Sequence, residues 1–281
     1  MLYICATPIG NLNDITLRAL ETLHKADIIL CEDTRNSQRL LQHHDIHGKR
    51  LVALHDHNEN EVGQKVIEWL EQKLCLVQIS DAGTPGISDP GARLCNLVYQ
   101  HGFTPIPLPG ACAFTSLLSV AGLVDIHSLF VGFLSNKSSQ RQKQIATWIS
   151  ADFAVCIYES PHRITECLID IVKILGNDRI IIMGRELTKQ FETVKKLSAS
   201  DLLEFVNSDS NQQRGEFVLI IMPESKKDHS EIEELTIKQI NTLCLIAAEL
   251  PAKKAVNLTH KLVGGNKDIM YNYLLENKTK N

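Results

Sequence analysis

The sequence contains no C-x-x-C pair and no Cys/His cluster at zinc-like spacing, although it carries eight cysteines. Cys31, Cys75 and Cys156 lie inside apolar runs, where a free thiol packs as a small hydrophobe, so neither a disulfide framework nor a bound metal is expected. No apolar run approaches the ~20 residues that a membrane span needs. The opening Met1-Leu2-Tyr3-Ile4-Cys5 lacks the charged lead of a signal peptide, and the expectation is a cytoplasmic protein with no membrane partner. There is no basic excess either: the formal net charge is -4, so any nucleic-acid contact has to come from a local patch. Finally, neither G-x-G-x-x-G nor G-x-x-x-x-G-K-[ST] occurs, which disfavours a dinucleotide or a nucleoside triphosphate.

What is present is the balance of a folded chain, with 44% hydrophobic and 22% charged residues in 281, enough for two domains that each bury a core. Short apolar runs alternate with amphipathic stretches, the pattern of a sheet covered by helices, and the fold class is α/β. Buried strands are expected at Leu2 to Ala6, Ile28 to Cys31, Leu51 to Leu54, Leu76 to Ile79 and Thr104 to Leu108. Between the first two, Ile15 to Lys25 reads as a helix capped by Asn13 or Asp14. A second group begins after a small-residue helix at Ala111 to Gly122. It has strands at Leu129 to Phe133, Phe153 to Tyr158, Arg179 to Gly184, Phe191 to Lys196 and Phe217 to Met222, and helices at Arg141 to Ser150 and His162 to Leu175. The absence of a helix between its third and fourth strands predicts some antiparallel pairing. The domain division is therefore 1–110 and 111–223, then a polar linker at 224–231 and a helical module at 232–281. In that module, helices are expected at Ile232 to Leu250, Ala252 to Leu262 and Asp268 to Glu276.

Three loops rich in glycine and proline follow predicted strands: Thr7-Pro8-Ile9-Gly10-Asn11-Leu12, the stretch from Ser80 to Gly91, and Pro107-Leu108-Pro109-Gly110-Ala111. A lone loop of this kind is usually a tight turn, but three at strand ends form a rigid backbone cradle, and ligands in open α/β sheets bind beyond those ends. Residue chemistry alone stops at a small ligand held by backbone loops. Asp81 can equally be a turn cap, and Asp33 or Thr34 a helix cap.

These loops, together with Glu32-Asp33-Thr34-Arg35, Asp89-Pro90-Gly91 and Arg185-Glu186-Leu187-Thr188-Lys189, occur in the order found in the tetrapyrrole methylases. The chain resembles, over almost its whole length, the branch of that superfamily that methylates a ribose hydroxyl in ribosomal RNA. The resemblance implies a two-domain tetrapyrrole-methylase-like fold with a small C-terminal helical module, S-adenosyl-L-methionine in the cleft, and a homodimer. It assigns Pro8, Asp81, Ala82, Gly83, Thr84, Ile87, Ala111 and Cys112 to the cofactor from the first domain, and Tyr158, Arg185, Glu216 and Phe217 from the second. Cys112 departs from the small hydroxyl or Ala of many members, which leaves its backbone as the contact.

The implied reaction is 2′-O-methylation of a cytidine in the decoding region of 16S rRNA in the small ribosomal subunit. Asp33, His57 and Glu186 are the candidate proton acceptors, Arg35 and Lys189 the candidate substrate contacts. His57 lies in His55-Asp56-His57-Asn58-Glu59, where Asn58 or Asp56 can also cap the next helix. Basic residues cluster from Lys137 to Lys143 and at Lys253, Lys254, Lys261 and Lys267; such runs are commonly solvated faces, but the tail resembles a helix-turn-helix-like module able to dock on RNA. C-methylation of a tetrapyrrole and a non-catalytic ribosome-assembly role are the alternatives.

Overall fold

A computed structural model of the chain describes residues 1–55, 58–224 and 235–278. The described chain falls into two compact units, Met1–Glu224 and Ser225–Asn281.

The first unit holds two five-stranded sheets. The first is built from β1 (Leu2–Cys5), β2 (Ile28–Cys31), β3 (Arg50–Ala53), β4 (Leu76–Ile79) and β5 (Ile106–Leu108), in the order β3-β2-β4-β1-β5. All of its pairs are parallel. Four helices connect these strands: α1 (Leu17–Lys25), α2 (Thr34–His43), α3 (Glu59–Glu71) and α4 (Ala92–Gln100). Their apolar stripes cover both faces, so β2 and β4 are buried at every position and read as continuous hydrophobic runs. One core packs Leu2, Leu30, Leu76 and Leu94 with Trp69; the other packs Cys5, Leu23, Ile29 and Val77. The single polar residue inside β4, Gln78, is also buried.

The strands of this sheet match the sequence expectation, but the start of α1 does not. Leu12–Asp14 form a 3-10 turn capped by Asn11, Ile15 is extended, and Thr16 is the cap, accepting from the Ala19 N–H at 3.1 Å. Asn13 and Asp14 are therefore not the helix cap.

After α5 (Ala113–Val120) the second sheet comprises β6 (Ser128–Phe133), β7 (Ala154–Glu159), β8 (Ile180–Arg185), β9 (Thr193–Ser198) and β10 (Phe217–Ile221), ordered β6-β7-β10-β8-β9. β10 runs antiparallel to β7 and β8, and β8 to β9, as the missing connecting helix implied. Helices α6 (Ser138–Ala146), α7 (Ile164–Leu175) and α8 (Ala199–Ser208) cover one face, sealing a core of Ile157, Leu168, Ile181, Leu202 and Leu219. α5 covers the other, with Leu117 against Cys156, Ile182 and Val218. α8, capped by the Ser198 hydroxyl on the Asp201 N–H, was not foreseen in the sequence.

Arg141, grouped above with an exposed basic run, is only 1% exposed. Its Nε donates to Asp170 at 2.7 Å, and Asp170 also accepts from Ser138 and Gln142, so this arginine locks α6 onto α7 instead of offering a surface charge.

The second unit contains α9 (Ile237–Glu249), α10 (Ala252–Val263) and α11 (Lys267–Lys278), which share a small core of Leu243, Val256, Met270 and Leu274. Thr236 and Gln239 form a capping box at the start of α9, and Pro251 precedes α10. The expected start at Ile232 lies outside the described residues. Among the described residues no helix is long and apolar enough to cross a membrane.

Candidate active site

Loops leaving the carboxyl ends of β1, β4 and β5 are tied into one body by short hydrogen bonds. Thr7 and Gly83 exchange backbone bonds at 2.8 and 3.0 Å, the Thr7 hydroxyl donates to the Ser80 carbonyl at 2.9 Å, and the Thr84 hydroxyl donates to the Ala111 carbonyl at 3.0 Å. The β2 loop joins through Asp81, whose two carboxylate oxygens accept from the Asp33 N–H at 3.0 Å and from Asn36 Nδ2 at 2.9 Å. Asp81 therefore caps the start of α2 from outside and also borders the cleft.

The first loop also meets the second sheet. Asn11 donates its N–H to the Thr188 hydroxyl at 3.1 Å. At Gly10 an added Cβ would stand 2.5 Å from Lys189 Cγ, so only glycine permits that approach.

Between the two sheets lies a cavity of about 380 Å³, a volume suited to a small-molecule ligand. Asp81, Ala82, Gly83, Thr84, Ile87, Cys112, Tyr158, Glu216 and Phe217, all assigned to the cofactor by the resemblance, line it. Ile9, Ser88, Asp89, Ala113, Phe133, Glu159, Ser160, Pro161, Leu187 and Val218 complete the wall. Apolar surfaces come from Ile9, Leu187, Val218, Phe133 and Tyr158. The Tyr158 and Phe133 rings meet edge-on, with centroids 5.7 Å apart. The Tyr158 hydroxyl accepts from the Phe114 N–H at 3.2 Å and lies 3.7 Å from Cys112 Sγ, and burial raises its pKa above the ordinary tyrosine value.

Three residues expected at the cofactor stand outside this lining. Pro8 is buried, and Ala111 contributes the carbonyl that holds Thr84. Arg185 turns its guanidinium the other way, donating to the carbonyls of Asn211, Arg214 and Phe191 and to the Thr193 hydroxyl, so it braces the chain that leads into β10.

The candidate substrate residues divide similarly. Asp33 caps α2, accepting from the Arg35 N–H at 2.8 Å, and forms a salt bridge at 2.9 Å with Arg35, whose side chain is 85% exposed. The Arg35 hydrogen bonds hold the Asp33 carboxyl down at about 2. Lys189 bridges Glu186 and Glu216 at 2.8 Å each. Burial opposes the Glu186 charge, but Lys189 and the Glu216 N–H outweigh it and keep this carboxyl below its usual range. His57 lies outside the described residues. Next to it, Asn58 stands at the cap position of α3 without a side-chain cap bond; its side chain instead accepts from the His55 N–H and donates to the Ala53 carbonyl.

Four acids, Asp81, Asp89, Glu159 and Glu216, border the cavity, and no lysine, arginine or histidine does so among the described residues. This wall favours a ligand that carries positive charge.

Residues 1–203 match the family model described as Tetrapyrrole (Corrin/Porphyrin) Methylases. Among solved structures, the methyltransferase CobJ aligns with a TM-score of 0.59 at 17% identity, covering 79% of this chain and 94% of that one. The cobalt precorrin-4 methyltransferase CbiF aligns with a TM-score of 0.56 at 15% identity, covering 78% and 93%. The chain is 41% identical over 279 residues to Ribosomal RNA small subunit methyltransferase I of Neisseria meningitidis serogroup B, covering 99% of this chain and 94% of the relative. It is 42% identical over 275 residues to the protein of the same name from Escherichia coli O157:H7, covering 98% and 94%. Likeness that runs through both sheets and the helical tail places the chain plainly: it belongs to the tetrapyrrole methylase family and, within it, groups with the small-subunit ribosomal RNA methyltransferases.

Proposed function

We propose that the chain is an S-adenosyl-L-methionine-dependent methyltransferase that modifies the ribose 2′-hydroxyl of a cytidine in the decoding region of small-subunit ribosomal RNA. It acts in the cytoplasm as a homodimer, with the ribosomal subunit as its partner. The observation that carries this reading is the acid-walled cavity at the strand ends, in a chain alike from end to end to proteins named for methylating that RNA.

The residues present fit the cofactor. A sulfonium and an ammonium are the cationic parts of S-adenosyl-L-methionine, and Asp81, Glu159 and Glu216 supply the opposing charge. Tyr158, Phe133, Ile9 and Leu187 give the apolar walls that an adenine ring requires. When bound, this group supplies an electrophilic methyl carbon. Asp81 and the Ala82-Gly83-Thr84 backbone hold the ligand from one side, and Glu216 and Phe217 from the other. Arg35, exposed beside Asp33, pairs with an RNA phosphate and sets the register of the substrate without reading its sequence. We assign residues 1–110 and 111–223 as the two halves of the enzyme, and 232–281 as an RNA-docking module in which Lys253, Lys254, Lys261 and Lys267 meet the phosphate backbone.

Acceptor class is tested by offering the purified protein methyl-labelled S-adenosyl-L-methionine with either small ribosomal subunits or a porphyrinoid. Label entering the subunits alone supports the reading. Label entering the porphyrinoid transfers the assignment to tetrapyrrole methylation, and cofactor binding without turnover on either acceptor points to an assembly factor.

A further inference from the structure

The four acids that border the cavity are not equivalent. Asp81 spends both oxygens on the start of α2. Glu159 has a fully buried side chain, with Oε1 accepting from the Ser160 N–H at 2.8 Å and Oε2 paired with Arg163 at 2.9 Å. Glu216 is held by Lys189 at 2.8 Å. Asp89 alone borders the cavity with no hydrogen-bond donor on its carboxylate among the described residues.

The loop that carries Asp89 is fixed on its far side. The next carbonyl, of Pro90, accepts from Gln78 Nε2 at 2.9 Å and from the Gly86 N–H at 3.2 Å. Gly91 follows at φ +130°, and a Cβ there would fall 2.1 Å from Gln78 Nε2. The buried glutamine of β4 and this glycine therefore lock the loop, which sets the position of Asp89 while leaving its carboxylate open to the cavity.

We propose that Asp89 is the proton acceptor for the ribose hydroxyl methylated in this cavity. This inference rests on the methyltransferase reading above. The hydroxyl oxygen forms its new bond to the methyl carbon, and the electron pair of the broken carbon–sulfur bond stays on sulfur. The proton of the hydroxyl passes to the Asp89 carboxylate, and the neutral carboxylic acid later returns it to water. Among the described residues, the charges that act on Asp89 are Glu32 from the β2 loop, Asp81 from its own loop and Glu216 ahead of β10, all acidic. Burial, then these three charges, push its carboxyl up to about 7. A carboxylate with such a value is a stronger base than Asp33, which Arg35 holds at about 2, and it is half ionised near neutral pH. The deprotonated form is the active one, so the rate rises with pH through about 7 and levels above it.

The test compares wild type, Asp89→Asn and Asp89→Glu in single-turnover methyl transfer to unmodified small subunits across about pH 5.5 to 9, with cofactor affinity measured by calorimetry and the carboxyl followed by carbon-13 NMR. The expected result is a wild-type limb near neutrality that matches the NMR titration. Asp89→Asn should lose that limb and roughly a hundredfold to ten-thousandfold in rate, with cofactor affinity within about threefold. Asp89→Glu should keep part of the rate with a displaced limb. The inference is overturned by an intact limb and rate in Asp89→Asn, by an Asp89 carboxyl that titrates in the ordinary carboxylate range, or by a rate loss matched by an equal loss of cofactor affinity. A wild-type protein that binds cofactor but methylates no subunit sinks the functional reading itself, an outcome distinct from these.

Discussion

Asp81 serves two structures at once, and that double use makes its removal informative. Asp81→Ala strips the acceptors from the Asp33 N–H and Asn36, and takes an acid from the cavity wall. Charge-assisted bonds of this kind are worth about 1.5–3 kcal/mol, so the protein should lose about that much stability in urea unfolding, and with an acid gone from the wall, cofactor affinity by calorimetry should fall as well. Arg35→Ala should behave oppositely. Its side chain is mostly in water, so the melting temperature and cofactor affinity stay unchanged while RNA affinity drops about tenfold, an effect that shrinks at high salt. Because the Asp33 carboxyl is depressed, its pairing with Arg35 persists above the ordinary carboxylate range and weakens only as pH falls towards about 2; a rate limb near neutrality therefore cannot belong to Asp33. The loop motifs were legible as a rigid backbone cradle because such cradles are local: Asp81 to Thr84 carry their own turn chemistry. Asp89 lies in a motif without standing out there, since its distinction comes first from burial and then from Glu32, Asp81 and Glu216, which only the fold brings near. Arg185, assigned to the cofactor by the resemblance, is the converse: its guanidinium goes to the carbonyls of Asn211 and Arg214, partners that no local pattern reports.

At the scale of elements, alternation of apolar runs located the strands of both sheets, and the missing helix between β8 and β9 predicted their antiparallel pairing. Helix ends were less legible. Asn13 and Asp14 are good cap residues by type, yet the 3-10 turn at Leu12–Asp14 shifts the cap to Thr16. A basic run also concealed a structural device, since nothing in the local pattern around Arg141 reports Asp170 across the α6–α7 contact. Arg141→Ala leaves that carboxylate buried without its ion pair and should cost about 3–5 kcal/mol, roughly 10 °C in melting temperature, whereas Arg141→Met combined with Asp170→Leu should recover most of the loss. Burial opposes the Asp170 charge, but bonds from Gln142, Arg141 and Ser138 outweigh it and keep the carboxyl below its usual value. The stabilisation is therefore complete above about pH 4 and lost as pH falls through the depressed folded value.

For the whole molecule, separation into Met1–Glu224 and Ser225–Asn281 lets the proposed roles be tested one unit at a time. The first unit contains every residue of the cavity, so a chain ending at Glu224 should unfold cooperatively and bind cofactor within about threefold of the full protein. Without the lysines of α10 and α11 it should lose about tenfold or more in subunit affinity, with a shallower dependence on salt. The net charge of -4 fits that proposal: RNA attraction would have to come from local patches, while the acid-walled cavity favours a ligand that carries positive charge. The most direct test of the central claim is to methylate subunits that lack the modification with labelled S-adenosyl-L-methionine, digest their RNA to nucleosides and identify the labelled species. The account predicts 2′-O-methylcytidine from one decoding-region position, formed only with active enzyme; label on a base, or no label despite demonstrated cofactor binding, would contradict it.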